Sequence, residues 1–573
     1  MDGHRRVRTL RSILRGIVQV TLLGGGVGIV STLAATAFVA AVIASERHLL
    51  VPLGFEGGAR EWLFLAALLV CGGLVVGALR WWNRPAAMQG PANAIAAAHG
   101  LERMMPVVPG LRTVAASVVS IVSGASVGQY GPLAHMGSLL GFMTARLAGG
   151  DAARRSIGIA CGAAAAISTA FNAPIAGIVF AHEVILRHFS LRAFAPVTVA
   201  ASIGYVFTNF IQPHDPMFAL VDPLTVLAPE YVYFAVIGIA GGLIAVIYMR
   251  AIFAFEHLGR VSRIPEFLRP AAAGVVVALI AWQVPEVLGV GEGSLRKALA
   301  GGFGPAELGL ILAAKLAATA LCLGFGFVGG VFSPSLLIGV VFGTLCGASV
   351  ELLLPAEHSD LAIYAACGMV AVVSPVIGAP LTAILIIFEL TRNYDVTTAA
   401  MLSAVMSNLV AYRVFGRSFF DRQLLRGGHD LSMGREKLVL SVRTVRDLVD
   451  KDAVVIDESA DAGGARTALA AADRTLAPVV DGGGGLVGVA RLSALVDVDP
   501  TIPIAGLIER DSMALDQHTP VWRAMSLADS STDDLFAVVD ASGVVQGTVS
   551  RRDIVSAYLN VTRSVRREQN GVV

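Results

Sequence analysis

The chain has 573 residues, of which 55% are hydrophobic and 15% are charged, and its formal net charge is +1. Soluble domains carry about 25% charged residues, so this composition excludes an ordinary soluble protein. A net charge this close to zero gives no reason to expect a nucleic-acid partner.

The N-terminal segment, residues 1–15, is basic and precedes the first apolar run. It contains Arg5, Arg6, Arg8, Arg11 and Arg15. By the positive-inside rule these arginines predict a cytoplasmic N-terminus. A secretory signal peptide is the alternative, but the apolar stretch that follows is too long for the hydrophobic region of such a signal.

Apolar runs of membrane-spanning length recur from about residue 17 to residue 414. They include residues 17–44, 63–79, 231–254 and 307–327. A spanning helix needs about 20 apolar residues. Glycine or proline interrupts several runs, which suits helices that break within protein and line a cavity. We therefore predict an all-α, polytopic membrane domain with broken helices over residues 16–427.

This predicted domain contains an internal repeat. Residues 162–183 match residues 368–389 at an offset of 206, through Gly162/Gly368, Ser168/Ser374, Ala173/Ala379, Pro174/Pro380 and Glu183/Glu389. Residues 128–137 match residues 330–339 at an offset of 202. The two offsets indicate a duplication of about 200 residues. Transporters built from two repeats bind their substrate where the repeats meet. We expect the repeats to be inverted, although the letters alone do not show their orientation.

In each repeat a glycine-rich turn is followed by a proline, Pro132 or Pro334, and then by an apolar helix. Proline suits the first turn of a helix. The free N–H groups and positive dipole end of a helix start attract anions. One such motif alone is an ordinary transition from a loop to a helix, but two motifs at repeat-related positions favour a shared anion site.

Residues 128–137, Gly-Gln-Tyr-Gly-Pro-Leu-Ala-His-Met-Gly, resemble the G-R-E-G-P-x-x-H-x-G motif of the CLC chloride channel and transporter family. Residues 330–334, Gly-Val-Phe-Ser-Pro, resemble its G-x-F-x-P motif, and residues 171–183 and 379–391 also match. The resemblance covers about 400 residues. It implies a homodimer with chloride-type anions passing through a separate pathway in each subunit. On this basis we place Gly128, Gly131, Pro132, Gly330, Val331 and Phe332 along the pathway.

Two departures from the family pattern concern proton transfer. The glutamate of the first motif, which in the family gates the pore and relays protons, is Tyr130 here, and the preceding arginine is Gln129. A phenol has a pKa of about 10 and hardly exchanges protons near neutral pH. The inner glutamate of the family's transporters is Val184 here. The resemblance therefore implies that proton-coupled antiport is lost.

Two anion contacts of the family also differ. The G-S-G-I-P loop corresponds to residues 89–93, which puts Gly90 in place of the anion-coordinating serine. Phe420 stands in place of the tyrosine of the last membrane helix, and phenylalanine donates no hydrogen bond. Tyr130 introduces a new hydroxyl nearby. Our hypothesis is that Tyr130 either plugs the pore or coordinates the anion, and the alternative is that it only packs.

Lys315 lies within a largely apolar run, residues 308–327. An ionisable residue in a membrane segment is a functional candidate. Lys315 could raise the anion potential of the pathway, or it could form a structural pair with Glu183 or Glu389. We interpret His135 and His182 as packing or hydrogen-bonded residues.

After residue 428 the chain becomes charged, with strand-like runs at residues 476–480 and 535–540. We predict a cytosolic α/β tail over residues 428–573, which resembles a pair of CBS modules at about 443–496 and 502–559. In such modules a Ser/Thr-x-x-Asp pattern often binds adenosine ribose and phosphate, and Ser550 and Asp553 fit it. The first module has Arg491 and Ala494 instead. We expect at most one site for ATP, ADP or AMP, and the alternative is that the tail only supports dimerisation.

These features predict a passive anion channel in the cell's inner (plasma) membrane, with both termini cytoplasmic and with modulation by the tail. A proton-coupled antiporter with another proton route and a membrane-anchored nucleotide sensor are the alternatives. No G-x-x-x-x-G-K-S/T loop, catalytic triad or metal-ligand cluster occurs, so we expect neither an enzyme nor a required cofactor. The sequence leaves the physiological anion open, with nitrate, bromide, bicarbonate and fluoride as alternatives to chloride.

Overall fold

The computed structural model describes residues 2–50, 58–83, 87–101, 105–211, 226–353, 359–431, 440, 443–510, 514–531 and 533–570. Side chains are not described for residues 2–17, 211, 352–353 and 564–570, so the basic residues of the predicted N-terminal segment lie outside the described side chains. The chain divides into two compact units, Met1–His429 and Asp430–Val573. This division lies two residues beyond the predicted boundary.

Apart from one isolated antiparallel bridge, between Gly128 and Gly330, the regular secondary structure described for the first unit is helical. Its helices are α1 Asp2–Ser45, α2 Ala59–Trp82, α3 Pro91–Ala98, α4 Val107–Val122, α5 Tyr130–Leu147, α6 Ala152–Phe171, α7 Pro174–Phe180, α8 Leu191–Ile211, α9 Tyr231–Val261, α10 Arg269–Gln283, α11 Glu292–Leu299, α12 Pro305–Phe325, α13 Phe332–Leu353, α14 Leu361–Ile377, α15 Pro380–Thr391, α16 Tyr394–Val414 and α17 Phe419–Arg426. Short π-helical turns follow α1 and α7, at Glu46–Leu50 and Ala181–Leu186. Single 3-10 turns lie at Ala228–Glu230 and Pro285–Val287.

Seven helical segments among the described residues are long and apolar enough to cross a membrane. They are Val18–Leu50, Ala59–Trp82, Leu191–Phe210, Ala228–Val261, Pro305–Phe325, Phe332–Glu351 and Tyr394–Arg426. Each of the four predicted apolar runs overlaps one of them. The first unit is therefore a multi-span membrane domain, as the sequence predicted.

The two repeats pack their helices through matching glycines. In the first repeat α5 crosses α6 so closely that a Cβ on Gly137 would lie 2.2 Å from the Gly162 carbonyl oxygen. In the second repeat α13 crosses α14, and a Cβ on Gly339 would lie 2.7 Å from the Gly368 carbonyl oxygen. Real Cβ contacts are never this short, so only glycine fits. The predicted duplication is thus visible as the same helix crossing built twice.

Each repeat also breaks its helix at the matching place. Helix α6 ends at Asn172, with φ 54°, and α14 ends at Gly378, with φ 70°, both in the left-handed region. This conformation is a common helix C-terminus. Two residues later Pro174 and Pro380 begin α7 and α15, because proline suits the first helical position. The broken helices predicted from the glycine and proline pattern are present in both repeats.

The second unit contains two small mixed sheets of identical topology. The first has strands β1 Ile456–Asp457, β2 Leu476–Val480 and β3 Leu486–Arg491, with helices α18 Ala462–Ala471 and α19 Leu492–Leu495. The second has β4 Ala514–Asp516, β5 Leu535–Val539 and β6 Val545–Ser550, with α20 Val521–Ser530 and α21 Arg551–Asn570. In each sheet the first two strands are parallel and the last two antiparallel. Single 3-10 turns lie at Val445–Leu448 and Ile504–Gly506.

The two sheets of the tail meet at the loops that follow β2 and β5. The backbone N–H of Leu486 donates to the Gly543 carbonyl at 3.2 Å, and that of Val545 donates to the Gly484 carbonyl at 3.0 Å. Each sheet has its own apolar core, one around Leu469 and the other around Phe536. The tail is therefore a pair of similar α/β modules.

Candidate anion pathway

The two predicted anion motifs meet at Gly128 and Gly330. Each glycine donates its backbone N–H to the other's carbonyl, at 2.8 and 2.7 Å, as an antiparallel bridge. The chain thus runs in opposite directions at two repeat-related positions, which agrees with a two-fold relation between the repeats. The Gln129 backbone N–H adds a bond of 3.0 Å to the Ser333 hydroxyl. These bonds hold the starts of α5 and α13 against each other.

The approach of the two helix starts leaves no room for side chains. A Cβ on Gly131 would lie 2.9 Å from the Gly330 Cα, and a Cβ on Gly330 would lie 2.8 Å from the Gly131 nitrogen. The first intrahelical bonds of α5 and α13 are donated by Leu133 and Ser335. The N–H groups of Gly131 and Phe332 precede these bonds, so they belong to the donors that a helix start cannot satisfy internally.

A cavity of about 660 Å³ ends at this meeting point. Five of the predicted pathway residues line it: Gly90, Gly131, Gly330, Val331 and Phe420. Helices α3, α5 and α17 contribute residues of their first turn to the wall, and Gly330 and Val331, just before α13, also line it. The structure therefore brings together positions that are separated by more than 300 residues in the sequence.

The cavity wall carries an excess of positive charge. Four arginines line it, Arg80, Arg260, Arg269 and Arg426, but only two glutamates, Glu256 and Glu266. Glu256 lies 2.5 Å from Arg426 and 3.8 Å from Arg260, whereas Glu266 lies 3.6 Å from Arg80. A concave surface with charge of one sign raises the local concentration of ions of opposite sign. This cavity therefore favours anions.

Gly90 is the residue immediately before α3, at the wall of the cavity. Its backbone N–H donates to the Asn93 Oδ1 at 3.0 Å, and Pro91 is the first helical residue. A Cβ on Gly90 would meet nothing within 4 Å. The position that corresponds to the family's serine thus has space for a side chain that this protein does not supply.

Tyr130 is buried in an aromatic cluster with Phe171 and Phe332. Its ring stacks on Phe171, with centroids 3.9 Å apart and an interplanar angle of 26°. It meets Phe332 edge-on at 5.4 Å, and only 2% of Tyr130 is exposed. Tyr130 and Phe332 directly adjoin the cavity-lining Gly131 and Val331 in the chain, so the cluster lies next to the meeting point of the two helix starts.

Phe420 reaches the cavity because α17 begins just before it. The Ser418 hydroxyl accepts from the Asp421 backbone N–H at 3.3 Å and donates to the Asp421 carboxylate at 2.8 Å, which caps the helix start. Phe419 stacks on Phe253 with centroids 5.2 Å apart and fixes the other face of α17. Phe420 therefore presents a ring, and no hydroxyl, to the cavity.

Seven predicted pathway residues are not among the described residues that line the cavity. Five of them lie within three residues of a lining residue in the chain: Gly128, Gln129, Tyr130, Pro132 and Phe332. The other two, Val184 and Lys315, lie elsewhere in the sequence. Val184 is buried in the π-helical turn after α7. Lys315 is fully buried, and its Nζ donates to the carbonyls of Val287 and Gly289, at 2.9 Å each. The predicted pairing of Lys315 with Glu183 or Glu389 is wrong, because both glutamates bind helix starts instead.

Glu183 of the first repeat caps the start of α15 in the second repeat, and Glu389 of the second repeat caps the start of α7 in the first. The sequence analysis missed this relation. The Glu183 carboxylate accepts from the backbone N–H groups of Leu381 and Thr382 at 3.0 and 2.8 Å, and from the Thr382 hydroxyl at 2.7 Å. The Glu389 carboxylate accepts from the N–H groups of Ile175 and Ala176 at 2.9 and 2.7 Å. Their matched place in the repeat was the signal that could have revealed this exchange.

In the tail, the predicted nucleotide residues Ser550 and Asp553 meet at the start of α21. The Ser550 hydroxyl donates to the Asp553 carboxylate at 2.5 Å and accepts from the Asp553 N–H at 3.1 Å. This pairing also serves as a helix cap. In the first module Arg491 makes ion pairs with Glu509, at 2.5 Å, and with Asp533.

Comparisons with known proteins agree on one family. A family model described as voltage gated chloride channel matches residues 67–412, and a CBS domain model matches residues 504–560. A putative ClcB-like chloride channel protein of Ralstonia nicotianae is 31% identical over 388 residues, which cover 66% of this chain and 90% of that protein. An H(+)/Cl(-) exchange transporter ClcA of Vibrio parahaemolyticus is 28% identical over 312 residues, which cover 53% of this chain and 67% of that protein.

A solved structure shares the fold. The crystal structure of a slow cyanobacterial Cl-/H+ antiporter superposes with a TM-score of 0.63 at 23% identity, over 72% of this chain and 98% of that one. At this level of identity the likeness concerns the fold alone.

Proposed function

This chain belongs to the voltage-gated chloride channel family of anion-transport proteins, and we propose that it is a passive anion channel with one pore per subunit of a homodimer. The observation that carries this proposal is Tyr130. An uncharged phenol, stacked on Phe171, occupies the position where the family's motif has its proton-relaying glutamate. Val184 occupies the inner position, so neither place offers a carboxylate that could exchange protons.

The proposed pore runs through the cavity to the meeting point of the repeats. Its four arginines draw anions in, and the N–H groups at the starts of α5 and α13 are suitable donors at its end. Gly90 and Phe420 leave the wall without the family's two hydroxyl donors. An anion is therefore held by backbone N–H groups alone, which supports weak and fast binding of chloride and of similar small anions.

We propose that the Tyr130 ring is the plug of this pore. The ring lies within the aromatic cluster next to the cavity-lining Gly131 and Val331, and in this proposal it blocks the path beyond the cavity. Rotation of one buried ring opens the path, whereas the helix starts on either side are fixed by the Gly128–Gly330 bonds. We place the protein in the plasma (inner) membrane with both termini cytoplasmic, and we assign it no enzymatic activity or required cofactor.

The tail is proposed to modulate the channel by binding ATP, ADP or AMP at Ser550 and Asp553. Both residues lie at the start of α21, where a ribose hydroxyl could replace the bond between them. Isothermal titration of the full-length protein with each nucleotide tests this, with Ser550→Ala as the variant. We expect heat of binding that disappears in the variant. No heat with any of the three nucleotides would favour the alternative that the tail only supports dimerisation.

The channel proposal is tested by anion efflux from liposomes that contain the purified protein, with proton movement followed at the same time. Valinomycin is added so that potassium movement dissipates the membrane potential that would otherwise stop the efflux. We expect chloride efflux without proton movement. Proton movement in fixed ratio to chloride would refute the channel and require another relay. No efflux of any tested anion, with or without nucleotide, would favour a membrane-anchored nucleotide sensor.

A proton-coupled antiporter is the second candidate, because two carboxylates lie near Tyr130. Glu46 and Glu292 are close enough to act electrostatically on its hydroxyl, and the Glu46 carboxylate accepts from the Gly293 N–H at 3.2 Å. Relatives that are named exchange transporters also favour this candidate. In the efflux assay, proton movement that disappears in Glu46→Gln or Glu292→Gln would support it.

A further inference from the structure

A second cavity, of about 350 Å³, lies on the surface of the membrane unit between α9, α16 and α17. It is lined by Arg250, Phe253, Phe415, Arg422, Leu425 and Arg426. Half of these residues are arginines and none is acidic. The cavity lies at the end of α16 that leads into the tail, so it belongs to the membrane face on which the tail begins.

The arginines of this cavity are held in place by the protein, yet most of their donors are not used by the bonds that hold them. Arg250 donates to the Val414 carbonyl at 3.0 Å and Arg422 to the Phe415 carbonyl at 2.8 Å. The Arg422 guanidinium lies 4.9 Å above the Phe415 ring. Each of these bonds uses one of the five N–H donors that a guanidinium carries. The side chains are thus pre-organised, with donors left for an anion.

The third arginine, Arg426, joins this cavity to the anion cavity, because it lines both. It lies 4.1 Å above the Phe253 ring and 2.5 Å from the Glu256 carboxylate. That glutamate balances Arg426, but Arg250 and Arg422 have no acidic partner among the described residues. The cavity therefore carries a net positive charge beside the proposed pore.

Exposed apolar side chains lead from the arginines along the same two helices. Helices α9 and α16 run parallel and in contact, since a Cβ on Gly242 would lie 2.7 Å from the Ser407 carbonyl oxygen. On α9, Ile247 lies one turn before Arg250 and is 56% exposed. On α16, Leu409 is 54% exposed and precedes the cavity. The apolar side chains thus precede Arg250 on α9 and the cavity-lining residues that follow α16, and this order from apolar to cationic matches the order of acyl chain and headgroup in a bilayer.

We propose that this cavity binds the phosphate headgroup of an anionic phospholipid, with the acyl chains along α9 and α16. Arginine pairs with phosphate through two parallel N–H bonds, and basic cavities between membrane helices bind anionic headgroups. A free phosphate ion has no apolar part that could contact the aromatic walls or the exposed apolar side chains beside the cavity. We therefore assign the site to a lipid. The inference requires the protein to lie in a membrane and is independent of the choice between channel and antiporter.

Native mass spectrometry of the detergent-purified full-length protein tests the proposal with three probes: short-chain phosphatidylglycerol, short-chain phosphatidylcholine and inorganic phosphate. The variant is the double change Arg250→Gln with Arg422→Gln. Arg426 is left unchanged because it lines the anion cavity. The matched control is Arg413→Gln, which removes an exposed arginine of α16 that does not line the second cavity.

We expect phosphatidylglycerol to bind to the native protein and to the control, and to bind about thirtyfold more weakly to the double variant. Equal binding of phosphatidylglycerol and phosphatidylcholine by the native protein would overturn the proposal, and this contrast needs no variant. Displacement of phosphatidylglycerol by an equal concentration of inorganic phosphate would identify a free-phosphate site and overturn it too. Unchanged binding in a double variant that elutes and unfolds like the native protein would place the lipid elsewhere.

Discussion

The phenol ring of Tyr130 stacks on the Phe171 ring with centroids 3.9 Å apart. Both residues belong to the first repeat, and Phe332 of the second repeat closes the cluster at 5.3 Å from Phe171. An aromatic contact of this kind contributes about 0.5–1.5 kcal/mol beyond the burial of its surface. The position that corresponds to the glutamate of the family's motif is therefore held by ring packing in this protein.

The first prediction concerns the size of the ring at residue 130. Tyr130→Ala removes the stacked ring and should increase chloride efflux about tenfold, which corresponds to the loss of about 1.4 kcal/mol from the barrier. Tyr130→Phe keeps the ring and should leave efflux unchanged if the residue is a plug. A change of selectivity in Tyr130→Phe would show instead that the hydroxyl coordinates the anion. Unchanged efflux and selectivity in both variants would contradict any role of Tyr130 in the pore.

The second prediction concerns the missing hydroxyl at Gly90. Gly90→Ser should be tolerated because its backbone is extended, with φ −160°, and a Cβ there meets nothing within 4 Å. Hydrogen bonds to charged groups contribute about 1.5–3 kcal/mol, so chloride should bind about tenfold more tightly. Isothermal titration with chloride measures this, with Gly90→Ala as the control without a hydroxyl. Equal affinities in the two variants would place the anion away from α3.

The third prediction concerns the contact between the repeats. A Cβ on Gly128 would lie 2.7 Å from the Gly330 carbonyl oxygen and 2.8 Å from a side-chain carbon of Pro334. Gly128→Ala should therefore separate the helix starts and lower the thermal unfolding temperature, while Gly90→Ala, with open space, should not. Overpacking of this kind costs about 1–3 kcal/mol. If both variants unfold at the native temperature, the two motifs are not in contact.

The fourth prediction compares Glu183 and Glu389. Each carboxylate caps the helix start of the other repeat, and the loss of such a cap costs about 0.5–2 kcal/mol. Glu183→Ala should destabilise the protein more than Glu389→Ala, because Glu183 accepts three hydrogen bonds and Glu389 accepts two. Thermal unfolding of both variants in detergent provides the comparison. The reverse order would refute the assignment of these bonds.

The fifth prediction concerns the pH dependence of the tail. The pKa of Asp540 is held below its ordinary value, first by the hydrogen bond from the Ser542 hydroxyl. A carboxyl with a lowered pKa contributes stability above its unfolded pKa of about 3.9, and this contribution is lost as the pH falls through the folded value.

The tail should therefore lose stability as the pH falls below about 4, and Ser542→Ala should weaken this dependence. Urea unfolding of the separate tail at a series of pH values measures it. Parallel profiles for the two proteins would show that the Asp540 turn does not contribute. Asp461→Asn, a change at the start of α18, serves as a control for acidic helix caps.

Local patterns in the sequence were sufficient to predict the helices, their breaks and the repeat. Glycine, proline and apolar runs predicted the broken helices, because backbone geometry at Asn172, Pro174 and their counterparts is set by the residue itself. The repeat predicted that the two helix starts would be related. The α/β tail followed from its charge and its strand-like runs, whereas its division into two modules rested on a resemblance to CBS modules.

The partners of polar side chains could not be predicted in this way. Lys315 lies among apolar residues in the sequence, but its Nζ reaches carbonyls of Val287 and Gly289 that precede it by 28 and 26 residues. Glu183 bonds to Leu381 across 198 residues. The sequence does not show which backbone group each side chain reaches, since a backbone N–H or carbonyl is present at nearly every residue. For Glu183 the repeat indicated only that Glu389 has a matching place.

The sequence by itself determined which elements this protein has and where its helices break, because those choices depend on the local chemistry of glycine, proline and apolar side chains. It also determined that no carboxylate stands at residues 130 and 184. Only the tertiary structure decided that Gly128 binds Gly330, that Tyr130 stacks on Phe171, and that arginines from distant helices surround one cavity. Those relations depend on how helices pack, and packing brings together residues whose separation along the chain carries no record of their contact.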